Sequence, residues 1–173
     1  MSERRLDTTL WLPVPREEAF EFFGRAENLE RITPPWLRFQ ITSDLPIDMR
    51  AGAEIRYSLR LHGIPIRWRT EITNWEPAER FVDEQRQGPY RLWQHEHTFS
   101  DERGGTRIDD TVRYAFTAGP IEPLVHRWFV APDLERIFAF RHQAVARELL
   151  GARASEAEIG EVRLSRPARG SAA

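Results

Sequence analysis

The chain of 173 residues contains no cysteine and no lysine. Without cysteine there is no disulfide, no thiol nucleophile and no cysteine-based zinc or iron–sulfur site. Without lysine, Schiff-base chemistry and the lysine of a phosphate-binding P-loop are excluded. Long apolar runs are also missing, since stretches such as 128–131 are far too short to cross a bilayer. The first residues carry no hydrophobic stretch of signal-peptide length, so we expect a soluble, cytoplasmic protein.

The residues that are present indicate one globular domain with a sizeable core. Hydrophobic residues make up 40% of the chain and charged residues 30%, which is a globular balance. The net charge of −2 gives no general attraction to nucleic acid or to an anionic membrane, so we expect neither partner. Six tryptophans and ten phenylalanines are many for this length, and they fit either a filled core or the lining of an apolar cavity.

A β-hairpin centred on His62 and Gly63 is the clearest local pattern. Apolar and polar residues alternate on both sides of this dipeptide, over residues 54–61 and 64–72. A two-residue turn would pair Leu61 with Ile64 and Tyr57 with Trp68, so that the apolar residues share one face. Gly63 suits the positive φ that such a turn requires.

The remaining patterns predict an α+β domain. Two short helices, over 16–23 and 28–32, lie between the first and second strands, and a long helix begins near Asp133 as its cap and ends near residue 150. The long helix would cover one face of a curled, seven-stranded antiparallel sheet. We expect one domain over residues 1–151 and a flexible C-terminal tail over 152–173. The seven strands are predicted at 5–12, 36–42, 55–61, 64–72, 80–86, 91–100 and 106–116.

Several segments of this sequence carry a family resemblance, and they are Val14–Phe23, Asn28–Leu29, Thr33–Leu37, Phe81–Gln85, Gly88–Tyr90, Trp93 and His95–His97. These segments resemble the START-like SRPBCC superfamily, and its bacterial ligand-binding, polyketide cyclase-like branch most of all. The resemblance covers residues 5–150. It implies a helix-grip fold with a cavity between sheet and long helix for a hydrophobic or amphipathic small molecule. Members include carriers, cyclases and chaperone activators, so the fold leaves the function open.

Polar side chains are predicted on the inward face of the sheet. Alternation places His95 and His97 on the aromatic side of their strand, and a three-residue loop over 88–90 would set Asp83 opposite His95. Asp110 shares the inward face of the last strand and could lie opposite either histidine. We therefore expect a polar cluster inside an aromatic cavity, which is the usual form of a small-molecule site.

Arg141 is the unexpected residue of the long helix, because its spacing places it among Leu134, Phe138 and Val145. A buried arginine needs an anionic or hydrogen-bonding partner, so we predict a bond to Asp83 or Asp110, or a place in the cavity near the histidines. Arg147 is predicted to be more exposed. The candidate ligand-binding residues are Tyr57, Trp68, Asp83, Gln85, Trp93, His95, His97, Asp110, Tyr114, Phe138 and Arg141.

Three functions fit this pattern. We favour a non-covalent binder or carrier of a hydrophobic or amphipathic molecule that needs no cofactor. An alternative is a cyclase/dehydratase-type enzyme with a histidine and a carboxylate as acid–base pair, although no catalytic residue is assigned. A third is a protein-interaction module that uses the outward arginines 56, 60, 67 and 69, for which a solvated, salt-bridged face is the favoured interpretation.

Two further features have competing interpretations. The motif His95-x-His97 puts two imidazoles on one face, but two histidines with unsettled carboxylates are a weak signal, and we expect no metal. The segment Trp128–Val130 could form a cavity lid or a membrane-touching edge. Packing against the start of the long helix is the favoured alternative.

Overall fold

A curved antiparallel sheet carries the fold in the computed structural model, which describes residues 3–166. The order of neighbouring strands is β2-β3-β4-β5-β6-β7-β1-β8, and β9 also pairs with β1. The strands are β1 (Arg4–Leu12), β2 (Gln40–Ile41), β3 (Glu54–Leu61), β4 (Ile64–Glu76), β5 (Arg80–Gln87), β6 (Leu92–Glu102), β7 (Gly105–Ala115), β8 (Glu158–Ile159) and β9 (Arg163–Ser165).

The two short helices and the long helix lie where the sequence predicts them, and a further short helix precedes the long one. Two short helices follow β1, and α4 crosses the sheet with a length of about 30 Å for its 20 residues. The helices are α1 (Arg16–Phe23), α2 (Asn28–Ile32), α3 (Glu122–Val125) and α4 (Ala131–Leu150), with 3₁₀ turns at Pro35–Leu37, Gly119–Ile121 and Gly151–Glu156 and a π-helical turn at His126–Val130.

The start of the long helix differs from the prediction. Helical turns run on directly from Gly119 through the π-helical turn into α4, so Asp133 lies inside the first turn of α4 and does not cap it. The Asp133 carboxylate instead lies 2.6 Å from Nε2 of His62, at the tip of the β3–β4 hairpin. The hairpin tip is thereby joined to the start of the long helix.

The predicted register of the inner strands is confirmed. Leu61 pairs with Ile64 and Tyr57 with Trp68, and the turn between the strands has positive φ at both His62 and Gly63. Asp83 lies opposite His95 in the β5–β6 pair. His97, and not His95, lies opposite Asp110 in the β6–β7 pair.

Within residues 3–166 the sheet has nine strands, where seven were predicted. The strand expected over 36–42 is mostly a 3₁₀ turn, and only the two residues of β2 pair with β3. β8 and β9 lie within residues 152–173, where a flexible tail was expected, and both pair with β1. They cover the edge of the sheet that β1 would otherwise expose. Short strands without a clear apolar–polar alternation are enough to cover such an edge. Residues 167–173 of that expected tail lie outside the described residues.

The inner face of α4 closes one side of the sheet, as a helix-grip fold requires. Leu134, Phe138 and Val145 are buried on this face, whereas Arg147 on the opposite face is exposed, as predicted. At the other end of the sheet, α1 inserts Phe20 against Trp75 and Phe99, with ring centroids 4.9 Å and 5.2 Å apart. The predicted helix-grip architecture is confirmed.

Candidate functional site

A cavity of about 160 Å³ lies between the concave face of the sheet and α4. Strands β3 to β6 form one wall, α4 forms the opposite wall, and the region of α1, α2 and the first 3₁₀ turn closes one end. The lining residues are Phe23, Ala26, Leu29, Thr33, Leu37, Phe39, Met49, Ile55, Tyr57, Leu59, Leu61, Trp68, Thr70, Ile72, Phe81, Asp83, Tyr90, Trp93, His95, His97, Leu134, Ile137, Phe138 and Arg141.

One part of the cavity is aromatic. The ring of Trp68 lies 5.9 Å from that of Tyr57, 5.8 Å from that of Tyr90 and 5.4 Å from that of Trp93. The Trp68 indole donates to Thr70 Oγ1 at 3.0 Å, and the Tyr57 hydroxyl lies 3.3 Å from the same oxygen. Burial raises the pKa of Tyr57 and of Tyr90, so both phenols stay protonated and neutral.

The other part of the cavity carries a polar wall formed by three side chains from neighbouring strands. Oδ2 of Asp83 lies 3.6 Å from Nδ1 of His95 and 3.5 Å from Nε2 of His97. The two imidazole centroids are 3.8 Å apart, because residues two apart on a strand point to the same side. The stacked ring of Phe81, 4.3 Å from that of His97, supports this wall from the side.

A buried carboxylate lies behind this wall. Asp110 Oδ1 lies 3.1 Å from Nε2 of His95 and 2.5 Å from Nδ1 of His97, and its Oδ2 lies 3.0 Å from Nε2 of His142. Asp110 thus holds three imidazoles, and it is itself only 1% exposed. His142 was not among the predicted residues. Its spacing of four residues from Phe138 would have placed it on the inner face of α4.

The charges of this cluster shift its pKa values in different directions. Burial alone would raise the pKa of Asp110, but contacts with His97, His142 and His95 outweigh it and hold that pKa well below 3.8. Burial would lower the pKa of His97, but the carboxylates of Asp110 and Asp83 outweigh burial and raise it above 6.5. Burial and the neighbouring charge of His97 lower the pKa of His95. A proton is therefore held on His97 in preference to His95.

We expect the two histidines to contribute to stability with opposite pH dependence. A raised pKa in the folded state gives His97 a stabilising contribution that is full below its unfolded pKa and declines as the pH rises above about 6.5. A lowered pKa gives His95 a contribution that is present above its unfolded pKa and declines as the pH falls below about 6.5. Urea unfolding of the wild type, His97→Gln and His95→Gln from pH 5 to 9 measures both trends. Parallel trends in the two variants would contradict the assigned proton.

Arg141 lines the cavity with His95 and His97, which is one of the two predicted arrangements, and it does not form the alternative, a bond to a carboxylate. Within residues 3–166, no carboxylate oxygen lies within 4.0 Å of its guanidinium and no hydrogen bond is formed. Its guanidinium carbon lies 5.8 Å from the centroid of the Phe23 ring. Asp83 and Asp110, the expected partners, already contact imidazoles.

The structure brings most of the predicted ligand-binding residues together, with three exceptions. Gln85 instead holds the β5–β6 loop, since its amide donates to the carbonyl of Tyr90 at 2.5 Å. Asp110 lies behind the histidines, and the hydroxyl of Tyr114 lies 2.9 Å from Nε2 of His126. The wall from the α1–α2 region was not predicted, because no alternation links that region to the sheet. The predicted residues that line the cavity are Tyr57, Trp68, Asp83, Trp93, His95, His97, Phe138 and Arg141.

Asp83, His95 and His97 are the residues that could hold a metal ion. One ligand atom from each lies within 4.8 Å of the others, and no other such group of three occurs among residues 3–166. Burial would raise the pKa of Asp83, but contacts with His97 and His95 outweigh burial and lower that pKa, and the charge of Arg141 adds to the lowering. The guanidinium of Arg141 lines the same cavity, so its charge opposes a second cation beside that carboxylate. The arrangement is therefore better suited to a proton than to a divalent metal ion.

The outer surface differs in part from the prediction. Of the outward arginines, Arg69 and Arg56 pair with Glu54, at 2.7 Å and 3.7 Å.

The expectation that the segment 128–130 packs against the helix start is wrong for two of its residues, since Trp128 is 63% exposed and Phe129 54% exposed. These two residues lie in the π-helical turn.

Comparisons with known proteins agree with this geometry. The family model described as "Polyketide cyclase / dehydrase and lipid transport" matches residues 12–141. No curated protein matches the sequence. None of the helices within residues 3–166 is long and apolar enough to cross a membrane.

Solved structures with the same fold are numerous and distant in sequence. The Zhui aromatase/cyclase from Streptomyces sp. R1128 has a TM-score of 0.68 at 16% identity, covering 87% of this chain and 98% of that chain. Protein Ms6760 from Mycobacterium smegmatis has a TM-score of 0.63 at 18% identity, covering 86% of this chain and 92% of that chain. TTHA0849 from Thermus thermophilus has a TM-score of 0.59 at 18% identity, covering 83% of this chain and 98% of that chain. At these identities the likeness concerns the fold alone.

Proposed function

Because the chain belongs to the polyketide cyclase/dehydrase and lipid transport family, we propose that it binds a hydrophobic or amphipathic small molecule in the cavity between the sheet and α4. The observation that carries the proposal is the combination of a 160 Å³ space, aromatic walls and a few convergent polar groups. Binding sites for small molecules have this composition, because apolar walls supply the free energy and polar groups set the orientation.

The cavity should bind a neutral aromatic probe, and filling the cavity should weaken that binding. Ala26 lines the cavity and is 1% exposed, so Ala26→Phe places a ring where a ligand would lie. We expect 2-naphthamide to bind the wild type in isothermal titration calorimetry and Ala26→Phe to weaken its binding about tenfold or more. Ala152→Phe, at an exposed alanine beyond α4, should bind as the wild type does.

Thermal unfolding of each variant serves as the control for folding. Equal binding by a folded Ala26→Phe and the wild type would contradict the cavity as the site. A wild type that released no heat with the probe would contradict the proposed function itself.

An acid–base enzyme of the cyclase/dehydratase type is the second candidate, and the polar wall favours it. Asp83, His95 and His97 face the cavity, and Asp110 fixes the two imidazoles from behind. Such an enzyme should exchange the acidic C–H protons of an enolisable aromatic ketone, which proton NMR in D₂O follows with 2-tetralone. The enzyme hypothesis requires faster exchange that His95→Ala abolishes while 2-naphthamide still binds. Exchange at the buffer rate would exclude this chemistry for that class of ketone.

A further inference from the structure

Arg141 is a cationic group in the cavity wall without an anionic partner. It forms no ion pair and no hydrogen bond with the part of the chain that the structure describes, and its Nε is shielded from solvent. An arginine is always charged and offers five N–H donors. A partly buried guanidinium without an acceptor is costly, and an acceptor brought by a ligand removes that cost.

The neighbouring polar groups of the cavity already have partners. Asp83 faces two imidazoles, at 3.6 Å and 3.5 Å. The hydroxyl of Tyr57 and the indole N–H of Trp68 both reach Thr70. An anionic group of a ligand in the cavity would therefore have Arg141 as its available cationic partner.

Resting on the proposed function, we propose that the ligand is a small aromatic acid whose carboxylate binds the guanidinium of Arg141. The planar fork of arginine matches a carboxylate with two parallel hydrogen bonds, and such charge-assisted bonds are among the strongest. The ring of the ligand would lie among the aromatic side chains around Trp68, where offset and edge-to-face contacts are favourable.

The size of the cavity limits the ligand to about one or two rings. An apolar protein cavity of about 150 Å³ holds benzene, and the present cavity measures about 160 Å³. A long acyl chain or a four-ring system would need a much larger space. The anionic Asp83 also restricts orientation, because it repels a carboxylate, so the carboxylate of the ligand would contact the guanidinium of Arg141 from the side away from Asp83.

A matched pair of probes tests whether the ligand is a carboxylic acid. 2-Naphthoate and 2-naphthamide have nearly the same shape and differ in charge, so calorimetry on the wild type isolates the contribution of the carboxylate. We expect 2-naphthoate to bind about tenfold tighter or more, the ratio that one charge-assisted hydrogen bond supplies. Arg141→Met should remove this preference, so that the two probes bind this variant with affinities within about twofold of each other.

Two further variants keep the test decisive. Arg147→Met removes an exposed arginine from the same helix and should leave both affinities unchanged. Arg141→Lys keeps the charge and should keep a preference for 2-naphthoate even if Arg141→Met fails to fold.

The outcomes distinguish this inference from the proposed function. Equal binding of the two probes by the wild type would overturn the acid as the ligand class and leave the binding function intact. A preference for 2-naphthoate that survives in Arg141→Met would overturn Arg141 as its partner. Absence of binding for both probes would overturn the proposed function together with this inference.

Discussion

Replacing Asp110 by asparagine is expected to lower the free energy of unfolding by about 3–5 kcal/mol, the usual loss when one member of a buried charged network is removed. Its carboxylate contacts His95, His97 and His142, all of which are 4% exposed or less. An amide in its place would turn an N–H donor towards an imidazole N–H and leave buried donors unsatisfied. Urea unfolding at pH 7 with linear extrapolation measures the loss.

Asp109→Asn is the matched control, because it makes the same change one residue earlier on β7 and on the opposite face. The Asp109 side chain is 37% exposed and pairs with Arg107, which is 43% exposed. Exposed ion pairs contribute only about 0–1 kcal/mol. Equal losses in Asp109→Asn and Asp110→Asn would show that the buried network does not stabilise the fold.

Phe138→Ala is the second substitution with a large expected effect. Phe138 is 3% exposed, lines the cavity and lies 5.4 Å from the ring of His95. Truncating such a phenylalanine costs about 3–5 kcal/mol, because apolar contacts are lost and a void remains. Since that void would adjoin the cavity, added benzene should restore part of the loss by binding the folded state. Thermal unfolding with and without benzene measures both effects.

Phe140→Ala provides the comparison on the same helix. Phe140 is half-buried, with its ring 5.5 Å from that of Trp36, and it does not line the cavity. We expect a loss of about 1 kcal/mol and no extra stabilisation by benzene relative to the wild type. Stabilisation of Phe140→Ala equal to that of Phe138→Ala would contradict the location of the void.

The sequence predicted the sheet best where alternation and turn chemistry agree. The turn at His62-Gly63 allows few registers, so the β3–β4 pairing followed from it. The spacing of Asp83, His95 and the short loop between them likewise predicted the β5–β6 pairing. The family resemblance supplied the helix-grip arrangement, which the family match and the solved structures confirm.

The sequence predicted less well where a tertiary contact decides the structure. β8 and β9 contain two and three residues, too few for a visible alternation, and they form because β1 offers an open edge. Arg141 was correctly placed on the inner face of α4, but its spacing could not show that both nearby carboxylates bind histidines instead. His142 was not predicted because its partner, Asp110, lies on the distant strand β7, and the spacing along the helix does not show that contact.

Native mass spectrometry of the protein purified from its source tests the central claim, that the cavity holds a small organic molecule, most directly. We predict that the native spectrum of the wild type carries an added small mass that disappears on denaturation, and that this added mass is absent from Ala26→Phe produced in the same cells. The same added mass in Ala26→Phe would show that the molecule binds elsewhere. A wild type that carried no added mass would contradict the claim that the chain binds a small molecule in its cavity.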